Sequence, residues 1–238
     1  MDRLQERQPR PLERERKWVG DAAWASLAHG VLGAWAEADA EHPEGELESV
    51  YFDTPDLLAW REKANGDSLK RKIRIRWYRE GGLPSRCRAW LEVKDRIGSA
   101  RKKMRHAFTA DGTFLDTAPL ESAGWKALLE KTMAETGWGM DVTPLLPAVS
   151  IRYRRRRYRC PATGSRLSVD HAIECPRANA GLLPFAGPMA CPHSVCETKS
   201  AVADRWPFAG DLMRLGFRLR SFSKFGYFME KLLDGGFR

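Results

Sequence analysis

From Leu69 the chain alternates without a break: Ile73, Ile75 and Trp77 fall on one side, Lys72, Arg74, Arg76 and Tyr78 on the other. A period of two belongs to a β-strand, whose successive side chains point to opposite faces. The stretch 88–96 repeats the pattern, with Leu91 and Val93 opposite Glu92 and Lys94, and 101–108 reads as its return strand across a Gly98-Ser99 turn. Shorter strands are predicted at 49–53, 149–159, 166–174 and 194–199. Elsewhere the period is helical. Ala23, Trp24, Leu27, Ala28, Val31, Leu32 and Trp35 predict an amphipathic helix within 21–40, with Asp21 as N-cap. Thr54-Pro55 opens a helix carrying Leu57, Leu58 and Trp60, because Thr caps and Pro suits a first turn. Trp125, Leu128, Leu129 and Met133 predict a helix over 121–136, and two more close the chain at 202–215 and 222–233. The Pro- and Gly-rich segment 176–192 reads as a loop, and no internal repeat occurs. The expected fold is α+β, one domain over 13–234 behind a charged tail, 1–12.

Charge narrows the partner. With 40 Lys and Arg against 31 Asp and Glu, the 238-residue chain carries a formal charge of +9, so it should meet an anion. Nucleic acid, acidic lipid and phosphate all qualify. No stretch has the apolar core of a signal peptide or the length of a membrane span, and five cysteines without framework spacing suit reduced thiols. A cytoplasmic protein without a membrane segment is expected.

The distribution of charge along the strands is more specific. Charged residues recur at i and i+2 in six places: Glu13, Glu15 and Lys17; Arg74 and Arg76; Glu92 and Lys94; Arg101 and Lys103; Arg155 and Arg157; Glu197 and Lys199. Each set shares a strand face. If the helices cover the apolar face of a closed sheet, the charged face becomes a lumen, and the expected architecture is an antiparallel tunnel with a basic interior. Arginine forks grip phosphate oxygens in pairs and lysine adds a compact charge. Carboxylates in such a lumen repel phosphate unless a hard cation lies between, so Glu197, assisted by Glu15 or Asp170, is the candidate holder of Mg²⁺ or Mn²⁺. The plainer reading is that Glu197 only pairs with Lys199 or a nearby arginine.

Other signals are weaker. Cys175, Cys191, His193 and Cys196 fit no standard zinc spacing, and buried thiols are the simpler reading. The alternation within Arg152–Arg157, without stacking motifs, argues against a nucleic-acid patch. Neither a G-x-x-x-x-G-K loop nor an H-E-x-x-H pair occurs. His29, His42, His106 and His171 are scattered and read as structural.

The sequence resembles a known family. The opening ERERK is similar to the E-x-E-x-K strand of the triphosphate tunnel metalloenzymes, which are CYTH-like. The succession ERKWV, SVYFDTPDLLAWREK, KRKIRIRWY, LEVKDR, SARKKMR, YRRRRY, RLSVDHAIE, CETK and SFSKF resembles their polyphosphate-polymerase branch, the vacuolar transporter chaperone catalytic domain. That resemblance implies an eight-stranded antiparallel barrel with helices outside, acting on ATP and polyphosphate or triphosphate with Mn²⁺ or Mg²⁺. It implies Arg74, Arg76, Lys94, Arg155 and Lys224 as catalytic phosphate ligands, and Lys17 and Arg101 as phosphate ligands. Lys103, Arg157 and Lys199 share their strand faces. Glu197 takes the metal. Ser221 stands where the family pattern has lysine, so that contact is lost or passes to Arg220. The implied reaction moves the ATP γ-phosphoryl group to a polyphosphate chain. Water as acceptor would make a triphosphatase, and the substituted lysine leaves a non-catalytic polyphosphate-binding module as a third reading.

Overall fold

A computed structural model describes residues 14–79, 84–98, 100–200 and 206–235. The tail, Glu13, Ser99 and 201–205 lie outside the described residues. The strands are β1 (Arg14–Asp21), β2 (Glu37–Ala38), β3 (Glu44–Asp53), β4 (Leu69–Tyr78), β5 (Arg86–Ile97), β6 (Ala100–Asp111), β7 (Leu146–Arg159), β8 (Arg166–Ala178), β9 (Met189–Ala190), β10 (His193–Ser200) and β11 (Arg218–Leu219). The helices are α1 (Ala25–Gly33), α2 (Leu58–Ala64), α3 (Gly112–Thr117), α4 (Ala123–Thr136), α5 (Ala209–Arg214) and α6 (Lys224–Asp234). The class is α+β, with a mostly antiparallel sheet.

Strand order runs β11-β1-β10-β8-β7-β3-β4-β5-β6, with β2 on β7 and β9 on β8. The sheet has 11 strands, nine of them on a path that is open, ending on β11 and β6, where a closed barrel of eight was expected. The whole difference in number is made by β2, β9 and β11, two-residue pieces that are too short for the period-two pattern to signal.

The chain divides into two compact units. The first comprises Met1–Glu44, Arg155–His171 and Pro192–Ser221. Here β1 pairs with β10 from Arg14↔Ser200 to Asp21↔His193, and β10 pairs with β8 through Glu197↔Ser168 and Val195↔Asp170. The apolar face packs Trp18, Leu32, Val169, Phe208, Leu212 and Phe217. Gly20 is fixed by that packing, since a Cβ there would lie 2.6 Å from the buried Phe217 ring. Gly20→Ala should therefore cost about 1–3 kcal/mol through overpacking, measured as a lower urea midpoint at unchanged slope.

The first helix is shorter and its buried stripe narrower than the sequence pattern predicts. Asp21 caps a single 3-10 turn, Ala22–Trp24, rather than the helix itself. Within α1 the buried face is Ala25, Ala28 and Leu32, whereas Trp24, Leu27 and Trp35 are about half exposed.

The second unit comprises Gly45–Arg154, Ala172–Cys191 and Phe222–Arg238. Its centre is the meander β3-β4-β5-β6, with Arg74↔Glu92, Lys72↔Lys94, Lys94↔Lys103 and Glu92↔Arg105 in register. One face supplies Phe52, Ile73, Ile75, Trp77, Leu91 and Val93, which pack on Leu115, Trp125, Leu129 and Met133. Asp53 ends β3 and caps α2, its carboxylate accepting from the amides of Thr54, Ala59 and Trp60 at 2.8–3.0 Å. Thr54 only adds a bond to Leu58, and Leu57 turns the chain in the left-handed region at φ 57°. Among the described residues no helix is long and apolar enough to cross a membrane.

Candidate functional site

In the second unit, alternation brings Arg74, Arg76, Trp90, Glu92, Lys94, Lys103 and Arg105 onto the face opposite the apolar core. Arg74 and Arg76 are only 6% and 8% exposed, so both faces of β4 are covered. A buried guanidinium must have its donors satisfied. Arg74 donates to Glu92 Oε2 from Nε at 2.8 Å and from a terminal nitrogen at 2.5 Å, and to the Tyr51 hydroxyl at 2.6 Å. Arg76 donates to Ser49 Oγ at 3.1 Å and to the Tyr153 hydroxyl at 3.0 Å. Lys103 approaches the other Glu92 oxygen at 2.7 Å and Arg105 approaches it at 3.4 Å.

Five cations, Arg74, Arg76, Lys94, Lys103 and Arg105, thus surround one carboxylate, and the charges respond. Burial alone would raise Glu92, but Arg74, Arg76 and Lys103 hold its carboxyl far below the usual range. Burial alone would lower Arg74, yet Tyr51 and Glu92 outweigh it. Lys94 is different: Arg74 first, then burial and Arg76, push its ammonium well below the ordinary lysine value. A bound anion would relieve that repulsion and strengthen the ammonium's hold on its proton, so tripolyphosphate binding should take up protons increasingly as pH rises into the range where the free Lys94 gives its proton up. Calorimetry in buffers of different ionisation heat reads this, and Lys94→Met should abolish it.

Lys224 reaches the same unit from the first turn of α6, its Nζ 4.3 Å from the Tyr153 ring centre. Ser223 caps α6 through the Gly226 amide at 3.1 Å and accepts from Lys72 Nζ at 2.9 Å, while Phe225 stacks on Tyr51 at 5.2 Å.

In the first unit a separate set of charges lies on the polar face of β1, β10 and β8. Lys17 stands opposite Glu197, and Glu15 opposite Lys199. Lys17 Nζ is 3.0 Å from Glu15 and 3.9 Å from Glu197, and Lys199 Nζ is 2.7 Å from Glu197. Asp170, fully buried, takes both prongs of Arg155 at 2.5 and 2.7 Å. Burial would raise Glu197, but Lys199, Lys17 and Arg155 hold it well below the ordinary value, so it is a carboxylate at neutral pH. Burial would lower Lys17, but Glu197 and Glu15 raise it instead.

Among the described residues no group of three or more His, Cys, Asp or Glu is arranged to hold a metal. What the structure offers is a pair: oxygens of Glu15 and Glu197 flank one ammonium, that of Lys17. Two hard carboxylates around a cation position suit a hard divalent ion, which takes one or two protein carboxylates and completes its shell with phosphate and water.

Three expected phosphate ligands stand elsewhere. Arg101 lies exposed at the tip of the β5-β6 hairpin, opposite Arg96. Arg157 donates to the His42 carbonyl at 3.1 Å. Arg220 is exposed, and its backbone amide donates to the Lys17 carbonyl at 3.0 Å. Sequence reasoning missed the orienting hydroxyls. Ser49 and Tyr51 alternate within SVYFD, and Tyr153 leads the 153–155–157 alternation, so the period that found the arginines also marks their partners.

Four of the five thiols are out of reach of solvent. Cys87, Cys175, Cys191 and Cys196 are buried, and desolvation pushes Cys175 up to about 12. His29 is lowered to about 4 by burial and by His171, and its Nδ1 is 3.0 Å from the Tyr158 hydroxyl.

Residues 17–233 match the sequence model of the VTC domain. The chain belongs to the VTC domain family. No curated protein matches this VTC domain. Its fold has a counterpart in the solved structure of a proposed adenylate cyclase from Bacillus halodurans. The alignment covers 90% of this chain and 94% of that one, at a TM-score of 0.51 and 12% identity. At that identity the likeness is one of fold. The matched segment takes in Lys17, Arg74, Arg76, Lys94, Arg155, Glu197 and Lys224, so both charged sets lie within the VTC domain.

Proposed function

We propose that this VTC domain is a metal-dependent phosphotransferase that moves the γ-phosphoryl group of ATP onto a polyphosphate chain. The observation that carries the reading is the surplus of cations around Glu92, set on a rigid meander with both buried arginines already oriented. A chain of phosphates satisfies such a surplus, because each unit brings negative oxygens to forks held by Tyr51, Ser49 and Tyr153. Phosphoryl transfer needs no covalent nucleophile from the protein, only positioning and charge. In this reading Arg74, Arg76, Lys94 and Lys103 hold the phosphates, with Lys224 added from α6. Arg155, Lys199, Arg157, Arg101 and Arg220 contribute to attracting the anion. Glu197 and Glu15 would hold Mn²⁺ or Mg²⁺, with Asp170 keeping Arg155 in place; the ion, when bound, supplies positive charge for phosphate oxygens.

The family match over 17–233 supports treating 13–234 as one functional domain. The eight-stranded tunnel is part of the same proposal, supported in number by the eight strands of 8–14 residues. Cytoplasmic ATP is the proposed donor, and neither nucleic acid nor membrane is a proposed partner.

The test is incubation of purified protein with ATP and Mn²⁺, with and without a polyphosphate primer, followed by analysis of chain length. Lengthening chains are the expected product. Phosphate release without growth would make the protein a triphosphatase, and tight polyphosphate binding without turnover under any metal would make it a binding module.

A further inference from the structure

Beside the cations of β4, β5 and β6 stands a side chain that a purely phosphate-binding surface does not need. Trp90 is half-buried on the same face as Arg76 and Glu92, while its neighbours Ala89 and Leu91 turn into the apolar core. In register it faces Arg76 on one side and the small, exposed Ala107 on the other. Around the ring are the Arg105 guanidinium at 4.4 Å, the Arg88 guanidinium at 5.6 Å, and Tyr78 edge-on at 5.5 Å. Arg105 belongs to both groups, since it also approaches Glu92 at 3.4 Å.

We infer that Trp90, with Arg105 and Arg88, is the platform for the base of a nucleoside triphosphate, and that it selects nucleotides over inorganic triphosphate at the phosphate site. This rests on the phosphate reading given above and deepens it. Two residues along a strand advance about 7 Å. A phosphate chain lying over Lys94, Arg74 and Arg76 therefore runs on toward Trp90, where the half-buried indole carries two further guanidinium groups. An uncharged planar group is what such a surface holds, because a base has a π-face for the indole and for a guanidinium alike. Stacking of this kind tolerates any base, so purine and pyrimidine nucleotides should bind similarly. Arg105, bonded at the phosphate end and stacked at the other, would sit where the α-phosphate joins the nucleoside.

The experiment is calorimetric titration of ATP and of inorganic tripolyphosphate, at one metal and salt concentration, into wild type, Trp90→Ala and Trp90→Phe. Wild type should bind ATP more tightly than tripolyphosphate. Trp90→Ala should weaken ATP about tenfold and leave tripolyphosphate unchanged, which also shows the variant is folded, and Trp90→Phe should recover most of the loss. Equal losses for both ligands, or no loss for ATP, would overturn the inference while leaving the phosphate site standing. Wild type that binds ATP through Trp90 but ignores tripolyphosphate would sink the phosphate reading instead, and failure to bind either would end both.

Discussion

Replacing Arg74 by alanine is expected to unfold much of the second unit, whereas replacing Arg76 should leave a folded protein that has lost most of its triphosphate binding. The two arginines look equivalent in sequence, alternating on one strand. Their partners differ. Arg74 meets the carboxylate of Glu92, 1% exposed, through two nitrogens, while Arg76 lies 3.9 Å from it and spends its hydrogen bonds on neutral hydroxyls. Removing Arg74 takes both donors from Glu92 Oε2 and leaves the carboxylate to Lys103 and Arg105 on Oε1, a loss toward the lower end of the about 3–5 kcal/mol for breaking a buried ion pair. Arg74→Ala should therefore lower the urea midpoint sharply, and adding Glu92→Gln should restore part of it.

Arg76→Ala strands only two hydroxyls and should cost much less stability. It should weaken tripolyphosphate by roughly 10- to 100-fold, the worth of a charge-assisted fork of about 1.5–3 kcal/mol. Acid gives an independent check. The Glu92 carboxyl lies below the ordinary 4.5 in the folded chain. It therefore contributes stability that is present above that value and fades as pH falls below it toward the folded value. Wild type should lose stability in that window, and Glu92→Gln should lose less. If Arg74→Ala unfolds no more readily than Arg76→Ala, the Glu92 pair does not organise the site.

How much of this could be read from the amino acids follows from which interactions are local. Ile73, Ile75 and Trp77 against Lys72, Arg74 and Arg76 announce β4 because period two is a property of one strand. The hairpin to β6 follows from Gly98, whose φ of 58° suits the turn. The burial of the charged face was not legible, nor was Glu92 as its hub. Sequence spacing places Glu92 beside Lys94, but only cross-strand register sets it against Arg74, Lys103 and Arg105. Trp90 carries no signal in the sequence for the same reason, since its place depends on standing opposite Arg76 and Ala107. The helices were overextended where packing overrode periodicity. Trp24 and Trp35 continue the apolar spacing of α1, yet the 3-10 turn before it and the end at Gly33 rotate them outward. At α2 the capping signal of Thr54 was real, but Asp53, with two oxygens and three amides, takes the larger share.

Glu197→Gln should suppress phosphoryl transfer about 100-fold while changing polyphosphate binding little, a loss of roughly 2.7 kcal/mol in transition-state stabilisation. The substitution keeps the size of the side chain and removes a charge that Lys199 and Lys17 hold ionised. Ground-state attraction for a polyphosphate comes from the many arginines and lysines, none of which is altered. A divalent ion contributes most where charge develops on the transferring group, so losing a ligand should appear in turnover and in the Mn²⁺ concentration needed to reach it. The competing account, in which Glu197 merely balances Lys17 and Lys199, makes the opposite forecast. Freed of its carboxylate, that pair of ammonium groups would draw the anion more tightly, and the metal requirement would stay as it was. Glu15→Gln separates the accounts further. Glu15 approaches Lys17 at 3.0 Å, an ammonium that Glu197 also approaches, so as a counter-ion its loss should be minor, whereas as a second metal ligand its loss should add to the Mn²⁺ requirement. Turnover measured against Mn²⁺ for wild type and both variants decides the matter, and superimposable curves would remove Glu197 and Glu15 from the metal.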